Sequence, residues 1–201
     1  MNFKKDKYCV VRNVMPKELT EFIYNYFMLK RQVAKTMFDA RFISQYTQEW
    51  GTWKDEQVPN TYSHYADIAM ETLLAGALPV IEKKTKLNLQ PNYSYARIYK
   101  YGDVLKRHKD RFSCEISTTL NLGGDPWPIY LNNGKKDIKV DLKPGDMLLY
   151  QGMILEHWRK KFEGDHCCQV FLHYNNKKSK NADKNLYDRR PHLGLPGWFK
   201  K

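Results

Sequence analysis

Between Asn92 and Asn175 the chain is cut into short β-branched and aromatic runs separated by turn residues, and this rhythm limits the fold more than any other feature. The runs cover residues 95–101, 114–122, 127–131, 137–142, 146–151 and 167–174. Runs of this length, with turns roughly every 8 to 12 residues, predict a sandwich or barrel. Gly102-Asp103, Gly123-Gly124 and Lys143-Pro144-Gly145-Asp146 supply the turns, where glycine permits positive φ and proline presets the backbone.

The first third reads as helical. Met15-Pro16-Lys17-Glu18 opens a segment with Leu19, Phe22, Ile23, Tyr26 and Phe27 at helical spacing. A second helix is expected from about Ser63, with Ile68, Leu73, Leu74, Ala77, Leu78 and Ile81 on one side and Pro79 as a kink or a break. Trp50 and Trp53 lie in the loop between, where they either cover the helix junction or frame a substrate entrance. The expected organisation is one domain over 1–201: helical support in 1–91, a β core in 92–175 and a basic tail in 176–201.

Two short motifs fall near predicted strand ends. In His108-Lys109-Asp110, an extended backbone points both functional side chains to one face. In Glu156-His157-Trp158-Arg159, His157 follows the 146–151 strand and can close a triangle from across a barrel. Two imidazoles and one carboxylate on one face leave coordination positions open, as non-haem Fe(II) oxygenases require. Taken singly, His108 also suits an exposed loop beside Lys106, Arg107, Lys109 and Arg111, and His157 suits packing beside Trp158. The surrounding strands favour the metal set.

With these motifs, Ala96-Arg97-Ile98-Tyr99-Lys100-Tyr101-Gly102, Thr118-Thr119-Leu120-Asn121 and Pro144-Gly145-Asp146-Met147-Leu148, the stretch 92–175 resembles the Fe(II)- and 2-oxoglutarate-dependent oxygenases, in particular their prolyl-hydroxylase-like branch. The resemblance implies an α+β protein: a double-stranded β-helix (jelly roll) with N-terminal buttressing helices. It also implies His108, Asp110 and His157 as iron ligands, with Fe(II), O2 and the co-substrate 2-oxoglutarate, and ascorbate as an accessory reductant. Tyr99, nine residues before His108, matches a tyrosine that hydrogen-bonds the co-substrate in many relatives. Arg97 shares its strand face, and Thr119 stands where a hydroxyl often reaches the 5-carboxylate.

One position departs from the pattern. Relatives carry Lys or Arg nine to ten positions after the distal His, and here those positions hold His166 and Cys167. A neutral imidazole donates one hydrogen bond where a guanidinium offers a fork. Either His166 binds the carboxylate when protonated, or Arg97 or Arg159 supplies the cation, or the chain uses another oxo-acid or has lost catalysis.

The expected activity is hydroxylation of an aliphatic C–H, on a protein or peptide side chain such as proline. The rivals are an oxygenase acting on a nucleic-acid base or small molecule, and a non-catalytic jelly-roll metal-binding module. A formal net charge of +12 favours acidic partners, nucleic acid among them. Half of it comes from the tail, whose eight Lys/Arg stand against two Asp and whose composition predicts loop or partial disorder. Leu193, Leu195, Trp198 and Phe199 are expected to clasp the core or a groove. Cys9, Cys114, Cys167 and Cys168 lack zinc-finger or CxxC spacing and read as reduced. With no signal-like or membrane-length apolar run, the expected location is cytoplasmic, with no membrane partner.

Overall fold

Strand alternation divides the β residues between two faces, and the helices cover one of them. The structure, a computed structural model, describes residues 2–44 and 47–201. In chain order the elements are α1 (Phe3–Asp6), β1 (Tyr8–Val11), α2 (Lys17–Asp39), β2 (Tyr62–Tyr65), α3 (Ile68–Thr85), β3 (Leu89–Lys100), β4 (Leu105–His108), β5 (Ile116–Gly124), β6 (Ile129–Asn132), β7 (Asp137–Val140), β8 (Met147–Tyr150), β9 (Glu156–Arg159) and β10 (His166–Asn176). They build a six-stranded sheet ordered β1-β8-β5-β10-β3-β2 and a four-stranded sheet ordered β4-β9-β6-β7. Every pairing is antiparallel. This is the α+β jelly roll with N-terminal helices that the sequence predicts.

On β10, Cys168, Val170, Leu172 and Tyr174 join the main core with Phe27 of α2 and Leu74 of α3. Their neighbours Cys167, Gln169, Phe171 and His173 point the other way, toward the four-stranded sheet. Burying about a Leu-sized side chain is worth roughly 1.5–3 kcal/mol, so this layer fixes strand register. A one-residue slip would turn the polar set into the core.

The helices differ from expectation in detail. In α2 the buried positions are Thr20, Ile23, Phe27 and Ala34, while Phe22 is 67% exposed, so the apolar stripe is narrower than predicted. The second helix starts at Ile68 rather than near Ser63. Residues 62–65 pair with β3 instead, Ala66 takes a positive φ, and Asp67 caps the helix by accepting from Met70 N at 3.1 Å. The helix runs through Pro79 without ending there. Trp53 packs on Tyr62 and Phe38, covering the junction.

The tail is ordered, against the compositional expectation. Arg190, 3% exposed, pairs with Glu71 at 2.7 Å and donates to the Asn92 carbonyl. Leu193 packs on the main core, while Trp198 stays 61% exposed. Polar composition misleads here because buried polar contacts anchor the segment: besides the Arg190–Glu71 pair, Asp188 accepts from Tyr65, Ser113 and Arg111, and Asn185 accepts from Ser113.

Candidate active site

β4 and β9 bring the two histidines side by side: His108 and His157 are register partners, with ring centroids 4.2 Å apart. Both lie within short strands that the sequence did not reveal, and Asp110 follows just beyond the end of β4. Asp110 Oδ1 is 3.4 Å from His157 Nε2 and 3.7 Å from His108 Nε2. Adjacent ligands of an octahedral ion at about 2.1 Å lie about 3 Å apart, so a small closure completes the set.

The tautomers fit a metal. His108 Nδ1 donates to Lys106 O (2.7 Å) and His157 Nδ1 to Leu155 O (3.1 Å). A carbonyl only accepts, so each ring carries a proton on Nδ1, and in the neutral form required of a metal ligand this leaves the Nε2 lone pair facing inward. Burial, then the neighbouring His157, lowers the His108 pKa and keeps it neutral. Burial alone would raise Asp110, but His157, His173 and the Ser117 hydroxyl together bring its pKa down to about 2. Two imidazole Nε2 atoms and a carboxylate oxygen thus converge within 4.8 Å of one another, a set that could hold a metal ion.

Ser117 Oγ donates to Asp110 Oδ2 at 2.7 Å and faces His173 Nδ1 at 3.1 Å. Asp110 N is held by Gly152 O at 2.9 Å. A Cβ on Gly152 would lie 2.0 Å from Asp110 Oδ2, so only glycine lets the carboxylate sit here. From the loop before β2, Gln57 donates from Nε2 to His108 Nε2 (3.1 Å) and accepts from Arg97 Nη1 and Nη2 (both 3.2 Å). Sequence reading found neither Ser117, Gly152 nor Gln57. The alternation of Ser117 with Thr119 inside a buried run was the one available signal.

The triad borders a cavity of about 410 Å³ that Arg97, Tyr99, Tyr93, Tyr95 and Phe171 also line. Arg97 is committed: it pairs with Asp55 and donates to the Tyr99 hydroxyl. The Tyr99 hydroxyl therefore accepts from Arg97 and has its own proton to donate. Arg159 follows His157 by two residues on the same face of β9, and Thr119 follows Ser117 by two on β5. Arg159 Nη2 donates to Thr119 Oγ1 at 3.4 Å and Nη1 to Trp127 O, while Nε has no partner. Three arginines are 3% exposed or less. Arg97 has Asp55 and Arg190 has Glu71, but Arg159 has no carboxylate among the described residues.

His166 is not in this group. It sits on the other face of β10 from Cys167, where Nε2 meets the Tyr24 hydroxyl at 2.5 Å and Nδ1 meets Asp165 at 2.8 Å. The two positions counted from the distal His both fall on β10, His166 on the outer face and Cys167 pointing inward.

The fold is that of the 2-oxoglutarate- and Fe(II)-dependent oxygenases, with structural similarity over most of the chain that includes several prolyl hydroxylases. Among the similar structures is a prolyl-4-hydroxylase from Pseudomonas putida, at 14% identity and TM-score 0.61, covering 87% of this chain and 95% of that one. AviO1 from Streptomyces viridochromogenes gives 12% identity and TM-score 0.66 over 90% and 95% of the two chains. HygX from Streptomyces hygroscopicus, solved with nickel, 2-oxoglutarate and hygromycin B, gives 13% and 0.63 over 97% and 92%. No protein-family model and no curated protein sequence matches the chain. No helix among the described residues is long and apolar enough to cross a membrane.

Proposed function

We propose that this protein is an Fe(II)- and 2-oxoglutarate-dependent dioxygenase that hydroxylates an aliphatic C–H bond on a protein or peptide side chain, proline being the residue that several structural neighbours suggest. The observation that carries this reading is Arg159: a fully buried guanidinium without a carboxylate, two strand residues from His157. Leaving such a charge unpaired costs several kcal/mol, and a dicarboxylate co-substrate supplies the missing partner. Two residues of strand span about 6.5 Å, which suits a five-carbon diacid reaching from the metal ligands to Arg159 and Thr119.

His108, Asp110 and His157 would hold the iron, which with 2-oxoglutarate and O2 would supply the oxidising power for C–H hydroxylation. Ser117 and Gly152 fix the Asp110 carboxylate. Tyr99 is placed to donate its hydroxyl proton to a co-substrate oxygen. Leu105, Ile129 and Tyr150 wall the cavity and keep water from the ligand side. Arg97, neutralised by Asp55, positions Tyr99 and Gln57 rather than supplying the cation.

The test is an anaerobic titration with Fe(II) and then 2-oxoglutarate, followed through the visible metal-to-ligand band. The band is expected only with both additions and absent in Asp110→Ala. Wild-type protein that binds iron and 2-oxoglutarate without a band would overturn the chelate. Protein that binds iron but not 2-oxoglutarate would favour the metal-binding module.

A further inference from the structure

Three depressions meet at the candidate metal ligands. The central cavity shares Gln57 and His108 with a second, which runs past Val104 and Lys106, and shares Lys109 with a third, which runs past Lys5, Lys7 and Lys135. A continuous trough thus crosses the mouth with the ligand set at its middle.

The trough is unbalanced in charge. Asp103 is neutralised by Lys100 at 2.6 Å and Glu156 by Arg107 at 2.9 Å. Apart from the ligand carboxylate Asp110, its unpaired acids among the described residues are Asp6 and Glu56, against five lysines (5, 7, 106, 109 and 135) that make no ion pair among them. A concave surface with one excess sign focuses its field on the ligand that enters it.

Its shape favours polypeptide over nucleic acid. β4 is an edge strand whose single neighbour is β9, and Lys106 and His108 of β4 line the second depression, so an extended chain can add there as a further strand. Val104 (42%) and Ile154 (54%) expose aliphatic surface on opposite arms, suited to side chains. The arms flanking the cavity offer successive bases little to stack on: Tyr101, their one aromatic among the described residues, has Lys161 Nζ over its ring at 5.3 Å. We infer that the trough docks an extended acidic polypeptide, which pairs with the free edge of β4 and presents a residue to the aromatic cavity beside the triad. The docking stands on charge and shape; only the presentation to chemistry rests on the oxygenase reading.

Fluorescence anisotropy with a labelled poly-glutamate peptide tests this, with a single-stranded oligonucleotide of equal charge as the rival probe. The peptide is expected to bind with strong salt dependence. Affinity should fall about tenfold in Lys7→Glu/Lys135→Glu and about threefold in Lys106→Glu, one exposed charge rather than two. Lys83→Glu, on α3 and away from the trough, should leave it unchanged. Asp110→Ala, which removes a carboxylate from the trough, should bind the peptide at least as tightly as wild type, so loss of the metal ligand and loss of docking are read separately. Tighter binding of the oligonucleotide, binding indifferent to the trough lysines, or no binding of the peptide would each overturn the proposal.

Discussion

Replacing Gly152 with alanine should disable the metal site while leaving the fold standing. The added Cβ would lie 2.0 Å from Asp110 Oδ2, 2.8 Å from Asp110 Cγ and 2.8 Å from Cys114 O. Real carbon atoms stay beyond 3.0 Å, so relief takes a shift of about 1 Å by the carboxylate or by the 152 backbone. The backbone cannot retreat freely, because Gly152 O holds Asp110 N at 2.9 Å and Cys114 O blocks the other side. The carboxylate must therefore turn, losing its bond from Ser117. Gly152 has no positive φ, so alanine suits the backbone and the conflict is steric alone. Loss of an outer partner typically costs 10- to 100-fold in metal affinity, about 1.4–2.7 kcal/mol. Anaerobic calorimetry with Fe(II), or with Mn(II) as a redox-stable probe, measures this directly. Gly76→Ala is the control, because its Cβ meets nothing within 4 Å. An affinity for Gly152→Ala within twofold of wild type would refute the reasoning.

Arg159→Met should weaken 2-oxoglutarate binding about 30-fold or more, from roughly 2 kcal/mol of charge-assisted hydrogen bonding, with Fe(II) affinity unchanged. The same variant should melt no lower than wild type without ligand, since a buried unpaired charge has gone; a large loss of melting temperature would argue for a structural role instead. His173 is buried and its pKa is lowered to about 4 from 6.5. The unfolded chain therefore takes up a proton that the folded one refuses, and apo-protein stability should fall by up to about 3 kcal/mol as pH drops from 6.5 toward 4. His173→Gln should flatten that slope in denaturant titrations, and an unchanged slope would assign it elsewhere. Glu71→Gln leaves Arg190 buried without its partner and should cost about 3–5 kcal/mol, visible as early proteolysis of the tail.

The sequence declared the parts of the site that depend on residue type and hid those that depend on direction. The triad was legible because few patterns place two imidazoles and a carboxylate near strand ends. The short strands carrying it were not: Lys106, Arg107 and Glu156 make β4 and β9 too polar to show alternation. His166 was misplaced because position along a chain says nothing of the face on which a strand presents it, whereas Cys167, one residue on, points inward. Gly152 and Gln57 act across long sequence separations, through close approach and through an amide, and neither leaves a local signature. Arg159 was visible as a candidate, but its lack of a carboxylate partner appears only once burial is known.

The strand order of the larger sheet has a bearing on how the protein is made. β10, the last strand in sequence order, lies in the middle of that sheet, between β5 and β3. Until it emerges, β1-β8-β5 and β3-β2 are two separate half-sheets, each with an open edge where β10 will pair. Closure joins residues far apart in sequence, as at Cys167↔Tyr99, so it is a late and slow event. Truncation before 166 therefore yields no smaller folded unit, only two unsealed edges prone to pair with other chains.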